Sequence, residues 1–275
     1  MEVGTTGEIA GIDWAARWRQ TVARRTAGGE GGHPGEHRRS DYWDRRAPSY
    51  ARMTRKRHDE FLRVVEPYIS PRKTLIDVGA GSGRHAVPLA ELMEWVTAVE
   101  PSEGMRAQIP HRDNMTVVAS TWQDAEVAPA DIVICCHLLY GIEAPVPFIA
   151  KLQASARERV FIMLRQGPVP HPAAELRRRM LGTPDLPVPQ FSDLFMLLVQ
   201  MGVAPEVTFV RYPIVNRYTD IDEALADSRM LFGAGWDEAR ARTLLEEMGT
   251  RDGDELVIDS GIALSGIAHW QPLES

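Results

Sequence analysis

The stretch LIDVGAGSGRHAVPLAE, residues 75–91, places a glycine-rich turn between an apolar run and an amphipathic run. The apolar run predicts a strand and the amphipathic run a helix, so Gly79, Gly81 and Gly83 fall in the turn between them. Glycine adopts positive φ and lets backbone N–H groups approach a ligand, while the helix N-terminus favours a negative group. The turn therefore predicts a ligand site at the carboxyl edge of a sheet.

An acidic residue narrows the choice of ligand. Glu100 ends the next predicted strand, about twenty residues further on, where a carboxylate can accept both hydroxyls of a ribose. This spacing predicts an adenosine-bearing cofactor. A dinucleotide fingerprint would need a third glycine at position 84, where the chain has Arg84, and no P-loop lysine follows the turn. An NAD-dependent oxidoreductase therefore requires that Arg84 be accommodated at the third glycine position.

Short apolar runs alternate with helical stretches from Thr74 onward, which is typical of parallel strands joined by crossover helices. We predict an α/β fold: a Rossmann-like, doubly wound, mostly parallel seven-stranded sheet, with helical insertions after strands five and six. The strands are predicted at TLIDVG (74–79), WVTAVE (95–100), MTVVAS (115–120), DIVICCH (131–137), RVFIML (159–164), EVTFVRYPIV (206–215) and GIALSGIAHW (261–270).

The N-terminal part differs from the rest. Residues 9–25 predict a helix that the Gly-rich linker TAGGEGGHPGEH holds as a tethered appendage, and 40–72 predict further helices, interrupted at Pro48. Residues 1–57 carry twelve Arg or Lys against seven Asp or Glu, whereas the remainder carries 19 against 31. Such a basic segment fits either a solvated helical face or a nucleic-acid contact.

Composition sets the remaining bounds. A hydrophobic content of 44% and a charged content of 25% predict a water-soluble globular chain. No secretory signal or membrane-spanning run is visible, so a cytoplasmic location and no membrane partner are expected. The two cysteines, Cys135 and Cys136, are adjacent in a predicted strand, which argues against a disulfide framework. The scattered histidines predict no metal site.

Three segments in order resemble the class I S-adenosylmethionine-dependent methyltransferases of the small-molecule type. LIDVGAGSGRHAVPLAE looks like their first motif, TAVEPSEGM like their second strand with its ribose-binding acid, and DIVICCHLLYGI like their fourth strand. The resemblance implies S-adenosylmethionine as cofactor, S-adenosylhomocysteine as product, and methyl transfer by direct displacement. It also implies this division: 1–39 as helix and linker, and 40–275 as the methyltransferase domain, with a helical lid (40–72), a cofactor-binding half (73–166) and substrate-cap helices with the last strands (167–275).

The resemblance also implies which residues contact the cofactor. The methionine and ribose portions would be lined by Asp77, Gly79, Ala80 and Gly81, and Glu100 would hold the ribose hydroxyls. The adenine would be flanked by Pro101 and Met105, and its edge covered by Thr121, Trp122 and Gln123. The family often has an acid near Thr121, for which Asp124 is a substitute. Lid aromatics would close the site: Tyr50 over the cofactor, with Tyr42 and Trp43 either binding substrate or packing the lid.

The reacting centre is predicted at the end of the fourth strand. His137, beside the cofactor, would act with Tyr140 as a base or substrate anchor, or else hydrogen-bond the backbone as a strand cap. Arg165 ends the fifth strand and would bind an anionic substrate or make a surface ion pair. His171 is a further substrate-binding candidate.

Three functions stay open from the sequence. The preferred one is a small-molecule methyltransferase, because the insertions after strands five and six predict a closed cap. The second is a methyltransferase acting on RNA or another nucleic acid through the basic N-terminal segment. The third is a non-catalytic protein that binds S-adenosylmethionine. The oligomeric state is not predicted.

Overall fold

A twisted sheet forms the centre of the computed structural model, which describes residues 11–27, 36–55, 59–168, 170–182 and 188–273. Its strands are β1 (Thr74–Val78), β2 (Trp95–Val99), β3 (Met115–Val118), β4 (Ala130–Cys136), β5 (Ala156–Gln166), β6 (Glu206–Tyr218), β7 (Gly249–Asp252) and β8 (Glu255–Trp270).

The strand order is β3-β2-β1-β4-β5-β8-β6. The first five strands of this order run parallel, and β8 lies antiparallel between β5 and β6. The order reverses between β1 and β4, so ligands of such a sheet bind above the carboxyl ends of these strands. The predicted seven-stranded, mostly parallel sheet is confirmed.

The last strands extend beyond the sequence prediction. β6 continues to Tyr218, β8 begins at Glu255, and the short β7 pairs with β8 as an eighth strand that the sequence did not predict. In β8, the residues from Leu264 to Trp270 pair with β5, whereas the residues before them pair with β6 and β7. The far ends of β6 and β8 form a hairpin-like extension on which the last helices pack.

Helices cover both faces of the sheet, as expected for a doubly wound fold. They are α1 (Trp14–Ala27), α2 (Glu36–Arg55), α3 (Glu60–Val65), α4 (Ala86–Ala90), α5 (Glu103–Arg106), α6 (Pro145–Ala154), α7 (Pro172–Leu181), α8 (Phe191–Gln200), α9 (Ile221–Phe232) and α10 (Glu238–Met248). One core cluster joins α1, α6 and α8 to the sheet, and a second joins α3 and α4 to its other face. A third cluster lies between α7, α9, α10 and the extension of β6 and β8.

The first helix is not the tethered appendage that the linker predicted. Trp18 is 1% exposed, its indole Nε1 donates to the carbonyl of Ile142 at 2.9 Å, and Val22 is buried in the same core cluster. Burying a tryptophan removes a large apolar surface from water, so α1 contributes to the central core. The linker itself, residues 28–35, lies outside the described residues.

The predicted interruption at Pro48 is also wrong, because α2 continues through this residue. A proline inside a helix costs about 3 kcal/mol. The surrounding helix offsets this cost by packing, since Tyr42, Ala47 and Ala51 are buried. Tertiary contacts therefore keep the segment helical where local propensity opposes it. No helix in the described ranges is long and apolar enough to cross a membrane.

Candidate functional site

The glycine turn lies directly above the end of β1. Gly79, Gly81 and Gly83 all have positive φ, at 73°, 58° and 81°. The backbone N–H groups of Gly79 and Ala80 donate to the carbonyl of Val99 at 2.8 and 3.2 Å. A Cβ on Gly79 would meet Leu138 at 2.8 Å, whereas one on Gly81 would have only Tyr50 nearby, at 3.9 Å. Gly81 therefore faces the more open side of the turn.

Glu100 connects the glycine turn to the end of β2. One carboxylate oxygen accepts the Gly81 N–H at 2.8 Å and the other accepts the Ser102 N–H at 2.8 Å. Burial raises the pKa of this carboxyl. A carboxylate offers about four acceptor positions, so two stay available for hydroxyl groups after these two bonds. The position that the sequence assigned to ribose binding is thus beside the turn.

Asp77 is a buried acid two residues before the first glycine of the turn. It lies in β1, is 1% exposed, and its Oδ2 atom has no hydrogen-bond partner. Burial raises the pKa of Asp77 to about 6. An unpaired buried carboxyl oxygen is costly unless a ligand supplies a donor. The carboxyl is therefore suited to receive a cationic or N–H group.

Arg84 occupies the position of the third glycine in a dinucleotide fingerprint. Its Nε donates to Asp59 Oδ2 at 2.9 Å, and His85 Nε2 lies 3.0 Å from the same oxygen. The neighbouring Asp59 oxygen accepts the Phe61 N–H and caps α3. These partners outweigh burial and lower the pKa of Asp59. The arginine thus ties the turn to α3, and nothing in the sequence signalled Asp59 as its partner.

Helix α2 crosses above the glycine turn. Its Asp44 side chain accepts the Ser102 hydroxyl at 2.6 Å and the Gly104 N–H at 2.8 Å. A Cβ on Gly104 would lie 2.7 Å from the Asp44 Cα, so glycine permits this close approach. Tyr50 of the same helix lies beside Gly81. Helix α2 thus contacts both the glycine turn and the segment after β2, and Asp44 was not predicted from the sequence.

The three lid aromatics form one packed row. The Trp43 ring lies between Tyr42 and Tyr50, with centroid distances of 5.0 and 5.5 Å. Tyr42 is buried, and its hydroxyl accepts from Arg46 at 2.6 Å. Of the three, Tyr50 lies nearest the glycine turn, whereas Tyr42 packs towards Arg46.

His137 lies directly after β4 with φ at 56°, in the left-handed region that few non-glycine residues adopt. Its Nδ1 is 2.9 Å from the Tyr140 hydroxyl and its Nε2 is 3.2 Å from the Tyr212 hydroxyl, which in turn bonds Ser265 at 2.9 Å. Burial, followed by the charge of Arg165, lowers the pKa of His137 well below its usual value. The imidazole is therefore neutral, and its two nitrogens form hydrogen bonds with two tyrosine hydroxyls rather than with the backbone.

Tyr140 connects this network to β5. Its hydroxyl accepts the Arg165 N–H at 2.9 Å, and burial raises the pKa of Tyr140 to about 12. The sequence singled out His137, Tyr140 and Arg165, and the structure brings all three together. The sequence analysis did not single out Tyr212 or Ser265, because these residues lie in antiparallel strands more than 70 residues after His137 in the chain.

His171 belongs to a separate buried cluster. Its Nδ1 accepts the Ala173 N–H as the cap of α7, so Nε2 carries the proton and donates to Asp227 at 3.0 Å. Asp227 also forms an ion pair with Arg46, whose Nε lies 2.6 Å from Oδ1 and whose Nη2 donates to Oδ2 at 3.2 Å, and it accepts the Tyr218 hydroxyl at 3.0 Å. Against the effect of burial, these partners hold the pKa of Asp227 at about 2. His171 thus links α7 to α9 and α2.

The remaining predicted contacts differ in accessibility. Met105 is buried beneath the turn after β2, and Pro101 is exposed. In the next loop, Thr121, Gln123 and Asp124 are exposed, and the Thr121 hydroxyl bonds the Asp124 carboxylate at 2.7 Å. Trp122 is 2% exposed, with the Lys151 ammonium 5.0 Å from its ring centroid. Trp122 therefore packs in the core, while its neighbours stay on the surface.

Among the described residues, no group of three or more His, Cys, Asp or Glu side chains is arranged to hold a metal ion. The carboxyl edge of the sheet brings together a glycine turn, two buried carboxyls and a histidine between two tyrosines.

Residues 76–162 match the model of a family described as a methyltransferase domain. An uncharacterised protein of Haemophilus influenzae is 29% identical over 146 residues, which are 50% of this chain and 53% of that protein. The chain thus spans about half the length of this curated relative.

Solved structures share the fold. A putative methyltransferase from Bacillus halodurans has a TM-score of 0.53 at 11% identity, covering 78% of this chain and 100% of that one. A putative methyltransferase from an antibiotic biosynthesis pathway of Anabaena variabilis has a TM-score of 0.51 at 16% identity, covering 78% and 98%. At these identities the likeness concerns the fold.

Proposed function

We propose that this chain is a class I S-adenosylmethionine-dependent methyltransferase that transfers a methyl group from S-adenosylmethionine to a small-molecule acceptor, and the match of residues 76–162 to a methyltransferase domain supports methyl transfer. The observation that carries the proposal is the buried Asp77 carboxyl beside the glycine turn and Glu100, because its Oδ2 atom has no hydrogen-bond partner.

These residues fit the cofactor chemically. Asp77 offers a buried acceptor for the cationic amino group of the methionine portion, Gly81 leaves the turn open, and Glu100 retains acceptor capacity for the ribose hydroxyls. Pro101 and Met105 are proposed to flank the adenine, with Thr121, Trp122 and Gln123 near its edge and Ala80 and Gly79 lining the turn. In the bound state the cofactor supplies a methyl group on a positively charged sulfur.

The protein's part in such a reaction is alignment and exclusion of water. Alignment of two reactants can supply about 7–11 kcal/mol of the barrier. Helix α2, with Tyr50 beside Gly81, covers the turn, and its middle is held to α5 through Asp44 and to α9 through Arg46. We propose that this cover holds the reactants together, with Tyr42 and Trp43 packing its acceptor side.

Proton removal is needed when the acceptor is a weakly acidic hydroxyl. His137 is neutral near pH 7 because of burial, and a neutral imidazole can take a proton. Its two nitrogens contact Tyr140 and Tyr212. We propose that Tyr140 faces the acceptor, that its hydroxyl oxygen takes the acceptor's hydroxyl proton, and that the tyrosine's own proton passes to Nδ1 of His137.

Three arginines of the N-terminal segment pair with acids of the fold, which supports a small acceptor over a nucleic acid. Arg46 is buried against Asp227, Arg52 pairs with Glu223, and Arg17 pairs with Asp193. Guanidinium groups that are neutralised within the fold contribute little to phosphate binding. The helices α7 to α10, which follow β5 and β6, are proposed to enclose the acceptor, with His171 at the start of α7.

The proposal is tested with methyl-tritiated S-adenosylmethionine. The purified chain is incubated with a metabolite extract freed of macromolecules by ultrafiltration and, in parallel, with total RNA. We expect protein-dependent label in the small-molecule fraction. Label in the RNA instead would support the nucleic-acid alternative, and cofactor binding without label in either fraction would support a non-catalytic binding protein.

A further inference from the structure

Arg165 occupies the carboxyl edge of the sheet at the end of β5. Its backbone N–H donates to the Tyr140 hydroxyl at 2.9 Å, and its guanidinium carbon lies 6.0 Å from the centroid of that ring. Tyr212 is close enough to hydrogen-bond the side chain. The guanidinium thus lies among tyrosine rings beside the proposed reacting centre.

Unlike Arg46 and Arg84, Arg165 has no acidic side chain as its ion-pair partner in the described part of the chain. Arg46 pairs with Asp227 at 2.6 Å, and Arg84 pairs with Asp59 at 2.9 Å. Within the described part of the chain, Arg165 forms no ion pair, and its Nε is inaccessible to solvent and without a hydrogen-bond partner.

The neighbours of Arg165 cannot supply the missing charge. The Tyr140 hydroxyl is neutral near pH 7, since burial raises the pKa of Tyr140 to about 12. His137 carries no negative charge in either of its protonation states. A buried charge without a counter-ion destabilises a fold, and the planar guanidinium matches a carboxylate or phosphate through two parallel hydrogen bonds.

The strand order separates the backbone of Arg165 from that of the proposed cofactor residues. Asp77 lies in β1, the glycine turn follows β1 and Glu100 follows β2, whereas Arg165 lies at the end of β5, with β4 between β1 and β5. Neighbouring strands lie about 4.8 Å apart, so the Arg165 backbone is displaced by about 10 Å from β1 along the edge.

We infer that Arg165 binds an anionic group, a carboxylate or phosphate, of the methyl acceptor. This inference rests on the proposed function and names the substrate class that the site would select. The acceptor's anion would complete the ion pair that the fold leaves open, and the tyrosines around it favour an unsaturated or aromatic body next to the anion.

The test uses benzoate, phenyl phosphate and the neutral benzamide as probes on the full chain saturated with S-adenosylhomocysteine. We expect benzoate or phenyl phosphate to raise the unfolding temperature and to bind at least tenfold more tightly than benzamide. Arg165→Gln is expected to abolish the difference. Arg159→Gln is the matched control, because Arg159 lies at the opposite end of β5 and pairs with Glu206.

Three results would overturn the inference: equal binding of benzoate, phenyl phosphate and benzamide, anion binding that persists in Arg165→Gln, or loss of S-adenosylhomocysteine affinity in that variant, which would assign the guanidinium to the cofactor's own carboxylate. Failure of the wild-type chain to bind S-adenosylhomocysteine would instead count against the proposed function. The cofactor is therefore titrated alone before any probe is added.

Discussion

The two sides of the sheet's carboxyl edge are assembled in different ways. On the glycine-turn side, Glu100 bonds Gly81 and Ser102, residues 19 and 2 positions away. On the side formed by β5, β6 and the later helices, Tyr212 bonds His137 across 75 positions and Arg46 bonds Asp227 across 181. The first side is specified by a continuous segment, and the second depends on the whole fold. We therefore expect mutations of the first to act on cofactor binding and mutations of the second to act on stability and acceptor selection.

The largest loss of stability is expected when the buried contact between Asp227 of α9 and Arg46 of α2 is removed. Asp227→Ala leaves the buried Arg46 without its counter-ion and removes partners of His171 and Tyr218. Breaking a buried pair costs about 3–5 kcal/mol, which lowers the unfolding temperature by about 10 °C for a chain of this size. Calorimetry or thermal unfolding by circular dichroism measures the change.

The control for this variant is Asp222→Ala, which removes the exposed partner of Arg242 from the same helix. It should change the stability by less than about 0.5 kcal/mol. Equal unfolding temperatures for the two variants would show that the buried cluster does not hold α2 in place.

A smaller effect, on cofactor binding at the glycine-turn side of the sheet edge, is expected from Gly81→Val. The residue has φ at 58°, and a branched side chain would extend towards Tyr50 over the turn. We expect at least about a hundredfold loss of S-adenosylhomocysteine affinity, equal to about 2.7 kcal/mol. Gly253→Val introduces the same side chain at a similar φ of 61° with open space around it. If both variants bind the cofactor equally well, the site does not lie at this turn.

The pH dependence of cofactor binding should depend on Asp77. Its pKa in the unliganded fold is about 6, so the carboxyl gains its charge as the pH rises through this value. If it holds a cationic amino group, affinity for S-adenosylhomocysteine should increase about tenfold from pH 5 to pH 7. Asp77→Asn should bind more weakly and lose this dependence. Calorimetric titration at several pH values measures both, and an unchanged pH profile in the variant would contradict the assignment.

The smallest effect concerns His137 and stability. Burial lowers the folded-state pKa of His137, so protonation favours the unfolded chain and stability is lost as the pH falls below about 6.5. Between pH 7.5 and 5.5 this costs about 1 kcal/mol. His137→Asn tolerates the left-handed backbone and should lose that much less stability than the wild type over the same interval. Parallel slopes for the two proteins would mean that His137 is not buried in its neutral form.

The comparison also explains what the sequence could predict. The glycine turn, Glu100 and the strand-helix alternation are local patterns, and the sheet they predicted is observed. The prediction failed for Pro48, where packing of α2 outweighs propensity, and for α1, because no local pattern reveals that Trp18 is buried against Ile142.

On both sides, the partners that come from other strands and helices carried no signal in the sequence. Asp44, Asp59, Tyr212 and Asp227 are ordinary residues in their local context, and each becomes part of the site only through a strand or helix distant in the chain. Arg165 could be nominated from its place at a strand end, but the absence of a counter-ion among the described residues is visible only in three dimensions.

Calorimetric titration of the purified chain with S-adenosylhomocysteine and with NADH shows whether the glycine turn binds an S-adenosyl cofactor or a dinucleotide. We expect saturable binding of S-adenosylhomocysteine that NADH neither reproduces nor competes away. Binding of NADH in competition with S-adenosylhomocysteine, or binding of neither ligand, would contradict this expectation.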